Sequence, residues 1–156
     1  MVIIPFHSFA HITDSAAQRE ALRRIRAALL PGGTFICTLG NPAPRRKAVD
    51  GQLRLFRRYD LPEGRGALLL WILEKTSAED PAVVEAMQIF EEYDPAGVMT
   101  RKRLMELRFR LSAREEFEAL AAEVGFRIKA FYGDYAGAGF DPEKSPFMIW
   151  VMEKVG

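Results

Sequence analysis

The strongest constraint on this chain is the order strand, helix, Pro-Gly-Gly, strand between Val2 and Gly40. Val2 to Phe6 (VIIPF) is a continuous apolar run rich in β-branched residues, the pattern of a strand covered on both faces. The next segment, TDSAAQREALRRIRAALL, carries Ala21, Leu22, Ile25, Ala28 and Leu29 at helical spacing. Thr13, Asp14 and Ser15 are each suitable N-caps, and Ser15 with Gln18 has the spacing of a capping box. Arg19, Arg23, Arg24 and Arg26 fall mostly off the apolar stripe and read as a solvated basic face. Pro31-Gly32-Gly33 stops the helix, because proline breaks it and glycine takes the left-handed exit conformation. TFICTLG follows as a second buried strand. A β-α-β unit of this kind demands parallel strands joined by a right-handed crossover.

The middle of the chain follows a different rule. LRLFRRYDLPEGRGALLLWILEK reads as two strands around a Pro-Glu-Gly-Arg-Gly turn. In PAVVEAMQIFEEYD, Val83, Met87 and Phe90 suit a helix, whereas Met87, Ile89 and Tyr93 suit a strand. The following Asp94-Pro95-Ala96-Gly97 turn favours the strand. After it, Met105, Leu107, Phe109 and Leu111 alternate with Glu106, Arg108 and Arg110, which is period two. An antiparallel section of three or four strands over residues 53–111 thus interrupts the α/β pattern. The pattern then resumes. Ser112-Ala113-Arg114-Glu115 has capping-box form, Phe117, Leu120, Ala121 and Val124 form a helical stripe, and Gly125 closes it. FRIKAFYGDY and PFMIWVMEK are two further strands, joined by a loop from Ala136 to Ser145. The expectation is one α/β domain over 1–156 carrying an antiparallel insertion.

Composition narrows the function classes. The net charge of +1 disfavours a nucleic-acid partner, which normally meets a strongly basic domain. Cys37 is the only cysteine, which excludes an internal disulfide and a multi-cysteine metal site; within TFICTL it reads as a small buried hydrophobe. No segment approaches the roughly 18 to 20 apolar residues that span a bilayer, and no secretory signal is evident. A soluble cytoplasmic protein without a metal centre is expected.

In open α/β sheets the ligand lies at the carboxyl ends of the strands. Here that edge includes Pro5, Phe6, His7 and Ser8, with Phe9 and His11 just beyond. His7 and His11 are the only histidines, and either imidazole can serve as a general base or orient a substrate. The alternative is that one caps the neighbouring helix and the other packs against it. His11 is the stronger candidate for the base, because a helix N-terminus depresses imidazole pKa and leaves the ring in its neutral, basic form. Arg54, Arg57, Arg58, Tyr59, Tyr93 and Arg108 offer groups for an anionic substrate. Alternating charge on a strand is also its ordinary wet face.

Taken in order, VIIPFHSFAHI, the helix, LLPGGTFICTLGNP, REEFEALAAEVGFRIKAFYGDY and the last strand resemble the C-terminal half of a class I S-adenosylmethionine-dependent methyltransferase. The resemblance covers nearly the whole chain. It implies a partial Rossmann-like sheet, parallel and then antiparallel, in which 53–111 is an inserted substrate cap. It also implies a small-molecule acceptor and S-adenosylmethionine as cofactor, with Pro5, Phe6, Ser8 and Phe9 beside the cofactor's methionine end. Arg108, Tyr132, Asp134 and Tyr135 match positions near the substrate cavity, although Asp134 equally suits a turn cap. The family's glycine-rich first loop and its acidic ribose ligand have no counterpart. GRG at Gly64–Gly66 and GAG at Gly137–Gly139 neither follow a buried strand nor open a helix. Two readings follow: a methyltransferase that needs a separate N-terminal half, or a non-catalytic half-domain for oligomerisation or partner binding. In both, Val2 to Phe6 is expected to be an open strand edge that forms a homodimer or exchanges elements between chains.

Overall fold

The β-α-β unit forms as the Pro-Gly-Gly punctuation requires. Strand β1 (Val2–Ile4) pairs in parallel with β2 (Thr34–Gly40), Val2 opposite Phe35 and Ile4 opposite Cys37, and helix α1 (Ser15–Ala28) makes the crossover. A computed structural model describes all residues, 1–156. The chain divides into two compact units, one of Met1–Lys47 with Phe109–Gly156 and one of Ala48–Arg108.

In the first unit, β7 (Phe126–Tyr132) and β8 (Phe147–Lys154) complete a four-stranded sheet of order β1-β2-β8-β7. Both β2–β8 and β8–β7 are antiparallel, so the α/β class with a parallel and then antiparallel sheet holds. Helix α3 (Arg114–Val124) precedes β7 and packs against α1. Trp150 lies at the centre of the core, fully buried, with ring centroids 4.5 Å from Phe117 and 5.1 Å from Phe131. Its Nε1 donates to Glu118 Oε1 at 3.0 Å, so the indole is both apolar filler and satisfied donor.

Several local expectations are corrected by long-range contacts. The strand is Val2–Ile4 and not Val2–Phe6, because Phe6 and His7 take positive φ angles of 52° and 62° and turn the chain. Nor is β1 covered on both faces, since Ile3 is exposed. The α1 N-cap is Asp14, whose Oδ1 accepts from Ala17 N at 2.7 Å. Gln18 makes no capping box with Ser15; it is buried and donates from Nε2 to Ile12 O at 2.8 Å. Ala113 is the N-cap of α3 and offers no side-chain acceptor, so the Ser112 capping box does not form. Arg26 leaves the solvated face: its Nη2 donates to Val155 O and Gly156 O, both at 2.8 Å.

The second unit holds β3 (Arg54–Asp60), β4 (Ala67–Thr76) and β5 (Val83–Tyr93), with β6 (Met99–Arg110) running out of it, in sheet order β3-β4-β5-β6. The ambiguous segment is therefore a strand. The β3–β4 register shifts between Leu55 and Arg57. Gly66 opens β4 at φ 111°, where a Cβ would stand 1.9 Å from Tyr93 O, so only glycine lets the two backbones approach. No helix of the chain is long and apolar enough to cross a membrane.

Trp150→Ala is expected to cost about 3–5 kcal/mol, the usual range for emptying a large aromatic site. Urea unfolding followed by circular dichroism measures this. A loss under about 1 kcal/mol would show that the sheet centre is not packed as described.

Candidate functional site at the carboxyl edge of the sheet

Four chain segments converge where β1 and β2 end and β8 begins. Gly40, the last residue of β2, lies opposite Phe147, the first of β8. The turn after β1 brings His7 there, and the loop after β7 brings Tyr135. His7 stacks on Phe147 with centroids 5.3 Å apart, Phe147 on Tyr135 at 5.0 Å, and Tyr135 on Phe6 at 6.1 Å. The lack of a side chain at Gly40 matters here, since a Cβ would stand 3.3 Å from His7 Cε1 and 3.4 Å from Nδ1.

Holding two consecutive non-glycine residues in the left-handed region is costly, about 1–2 kcal/mol each. Such strain persists where neighbours over-determine the conformation. Here Ser8 N and Oγ both donate to Pro5 O, at 3.2 and 3.0 Å, and Ala10 N donates to His7 O at 2.8 Å. A short 3-10 turn, Ser8–His11, follows and carries Phe9 into the core.

The half-buried His7 imidazole has a basicity below the ordinary range, first because burial disfavours its charged form, then through the charge of Arg45 and, last, electrostatic coupling to His11. Its Nδ1 is buried without a hydrogen-bond partner. Arg45 belongs to α2 (Pro42–Arg46), a short helix capped by Asn41 Oδ1, which accepts from Ala43 N at 3.3 Å. Its guanidinium also lies 5.4 Å over the Phe109 ring. Asn41 is itself buried and donates from Nδ2 to Pro142 O and Ser145 O at 2.8 and 2.9 Å, tying α2 to the loop before β8.

The candidate residues are placed as follows. Pro5, Phe6, Ser8, His7, Tyr132 and Tyr135 lie on this edge or at the β7 end beside it. Phe9 does not line the edge; it is core, edge-on to Phe117 at 5.5 Å. His11 closes the 3-10 turn, three residues before the Asp14 cap of α1, so it does not stand at a helix N-terminus. Its ring meets Phe109 edge-on at 6.4 Å. Asp134 is a turn cap that accepts from Ala136 N and Ala138 N, both at 2.9 Å. Arg108 belongs to the second unit, where it pairs with Glu79 at 3.3 Å and Glu85 at 3.9 Å. Sequence reasoning missed Gly40, Arg45 and Phe147. Only Gly40 left a readable signal, a glycine ending a buried strand at the ligand edge. Cys37 is buried, which pushes its thiol well above the ordinary range and leaves it unreactive.

No protein-family model and no curated protein matches the sequence. Among solved structures, 99% of the chain is similar to 60% of the CcbJ methyltransferase from Streptomyces caelestis, at 21% identity and a TM-score of 0.77. An S-adenosylmethionine-dependent methyltransferase from Clostridium acetobutylicum is similar over 97% of this chain and 56% of its own, at 15% identity and a TM-score of 0.78. CalS10, an amino pentose methyltransferase from Micromonospora echinaspora whose structure holds S-adenosylmethionine, is similar over 98% of this chain and 57% of its own, at 19% identity and a TM-score of 0.69. The chain therefore has the fold of a part of these methyltransferases and spans less than two thirds of the length of each.

His7 is expected to titrate below the ordinary 6.5 in an NMR titration, and Arg45→Gln to move it upward. The sign for stability follows from linkage. Just below pH 6.5 the unfolded chain binds the proton that folded His7 refuses, so stability contributed by neutral His7 is lost as pH falls through that window. A folded-state midpoint at or above 6.5 would contradict the packing of this imidazole.

Proposed function

We propose that this chain supplies the acceptor side of an S-adenosylmethionine-dependent methyl transfer to a small molecule, with His7 as the general base. The single observation that carries the reading is a half-buried imidazole stacked on Phe147 beside Gly40, at the carboxyl edge of a methyltransferase-like sheet. Methyl transfer asks little covalent chemistry of the protein. It needs alignment, and often removal of a proton from the attacking nitrogen, oxygen or carbon. Burial, first, and then the Arg45 charge lower the basicity of His7, which favours the proton-accepting form that a general base needs. His11 stands close enough to influence it, which supports a joint role for the two histidines.

The residues present do not by themselves fit the whole cofactor. A ribose needs a carboxylate, yet Asp134 and Asp141 accept from backbone N–H groups of their own turns and Asp14 caps α1. Gly64–Gly66 lies in the β3–β4 turn and Gly137–Gly139 in the β7–β8 loop, so neither opens a helix onto a phosphate- or carboxylate-sized group. No catalytic step is therefore routed through the cofactor here. In this reading its ribose and amino-acid contacts come from polypeptide outside these 156 residues.

A second reading, a non-catalytic module for self-association, is favoured by one observation. β1 has β2 as its only sheet neighbour and exposes Ile3, which leaves an apolar strand edge of the kind that recruits another strand. Light scattering is expected to show a concentration-dependent dimer that Ile3→Lys returns to monomer. A monomer at all concentrations would remove this reading.

Calorimetry of the chain with S-adenosylmethionine is expected to give a dissociation constant of about 1 mM or weaker, near −4 kcal/mol. When activity is reconstituted with the missing contacts, His7→Ala is expected to lower kcat by about 10²–10⁴ with little change in cofactor affinity, as loss of a general base does. An unchanged kcat would overturn the assignment of His7.

A further inference from the structure

We propose that the groove formed by β4, β5 and β6 in the second unit is a binding site for an alkylammonium ion, a ligand with a short apolar chain and one cationic end. The site lies within Ala48–Arg108 and does not rest on the reading of His7. Strand register builds it. Leu73 of β4 stands opposite Met87 of β5, and two residues along Lys75 stands opposite Glu85, so all four side chains share one face of the sheet. Arg108 of β6 reaches that face, 3.9 Å from Glu85, and Glu106, two residues before it on the same strand, shares its side. Half-buried Leu73 and Met87 make the apolar floor, and Glu106 and Arg108 make one wall. Gly51, whose N donates to Glu74 O at 2.8 Å, gives an end without a side chain. The groove measures about 540 Å³, within the range of about 300–1,000 Å³ for small-molecule sites.

Charge selects the ligand. Lys75 pairs with Glu85 at 3.2 Å, and Arg108 lies between Glu79 at 3.3 Å and Glu85 at 3.9 Å. Glu85 also accepts from Ser77 Oγ at 3.1 Å, and Lys75 first, then Ser77, hold its carboxyl below the ordinary range, so it stays ionised and occupied. These two cations and two carboxylates cancel, which leaves Glu106 as the uncompensated charge of the groove. It has no hydrogen bond or ion pair of its own. An anionic ligand would meet this carboxylate with no surplus cation to offset it, and a neutral ligand would leave it unpaired. A protonated amine satisfies it with a charge-assisted N–H···O bond while its chain covers Leu73 and Met87. A quaternary ammonium fits less well, since aromatic faces hold such ions and no aromatic residue lines the groove.

The test is a chemical-shift titration of the isotope-labelled chain with n-hexylamine at neutral pH, with hexanoate and 1-hexanol as comparators of the same chain length. Shifts at Leu73, Met87 and Glu106 are expected with the amine, at an affinity at least ten-fold above that of either comparator. Glu106→Gln keeps the shape of the side chain and removes its charge. It should weaken the amine at least ten-fold with no fall in melting temperature, because the residue is exposed and makes no bond to the fold. Glu63→Gln, which removes the same charge from an exposed position in the β3–β4 turn, should leave the affinity unchanged. Lys75→Gln takes away one offsetting cation and should tighten the amine at least two-fold. No shifts in the groove with the amine, a comparator binding as tightly, full affinity in Glu106→Gln, or weaker binding in Lys75→Gln would each overturn the proposal. The titration uses neither cofactor nor methyl transfer, so its failure leaves the His7 assignment standing, and a failure of His7 as base leaves amine binding measurable.

Discussion

The pairing of β2 with β8 is the interaction on which the rest of the first unit depends. β1 is attached only through β2, and β7 only through β8, so the sheet exists because these two strands lie together. Their register runs from Thr34 opposite Glu153 to Gly40 opposite Phe147 without interruption. Its middle places Cys37 opposite Trp150, and both are fully buried. The driving force is ordinary apolar burial, and its precision comes from period two, since a slip by one residue would turn Trp150 to the wrong face.

The same ladder builds the site at its far end. Because Gly40 and Phe147 are register partners, the last rung offers a bare backbone on one strand and a phenyl ring on the other. The imidazole of His7 fits that rung, close to Gly40 and stacked on Phe147. α2, fastened by Asn41 to the loop before β8, then brings the Arg45 charge to bear on it. Packing, dielectric and charge thus act together on one nitrogen base. Of the two side chains whose charge bears on its basicity, His11 is four residues away and Arg45 is brought in from a distant part of the chain.

That separation explains what could be read from the sequence. The β-α-β unit, the hairpin and the strand at Val83–Tyr93 were legible because each is signalled by nearby residues: Pro31-Gly32-Gly33, the Pro62–Gly66 turn, and alternation after Asp94. The end of the sheet at which Pro5 to Ser8 gather was legible too, since it follows from strand direction alone. What could not be read was decided across distance or by strain. Nothing local marks Phe6 for positive φ, and histidine's modest tolerance of the left-handed region is too weak a signal to place His7 there. The preference for His11 assumed that it stood at the start of α1, whereas the 3-10 turn ends on it and Asp14 takes the cap. Arg26 looked solvated on its helix face, yet its partners are the carbonyls of residues 155 and 156.

The central claim is that the working surface of this chain is the edge around His7. The most direct test is a chemical-shift map of the isotope-labelled chain titrated with S-adenosylmethionine. Perturbations concentrated at Phe6–Ser8, Gly40, Tyr135 and Phe147 are the predicted result. Perturbations confined to β3–β6, with His7 unmoved, would contradict it.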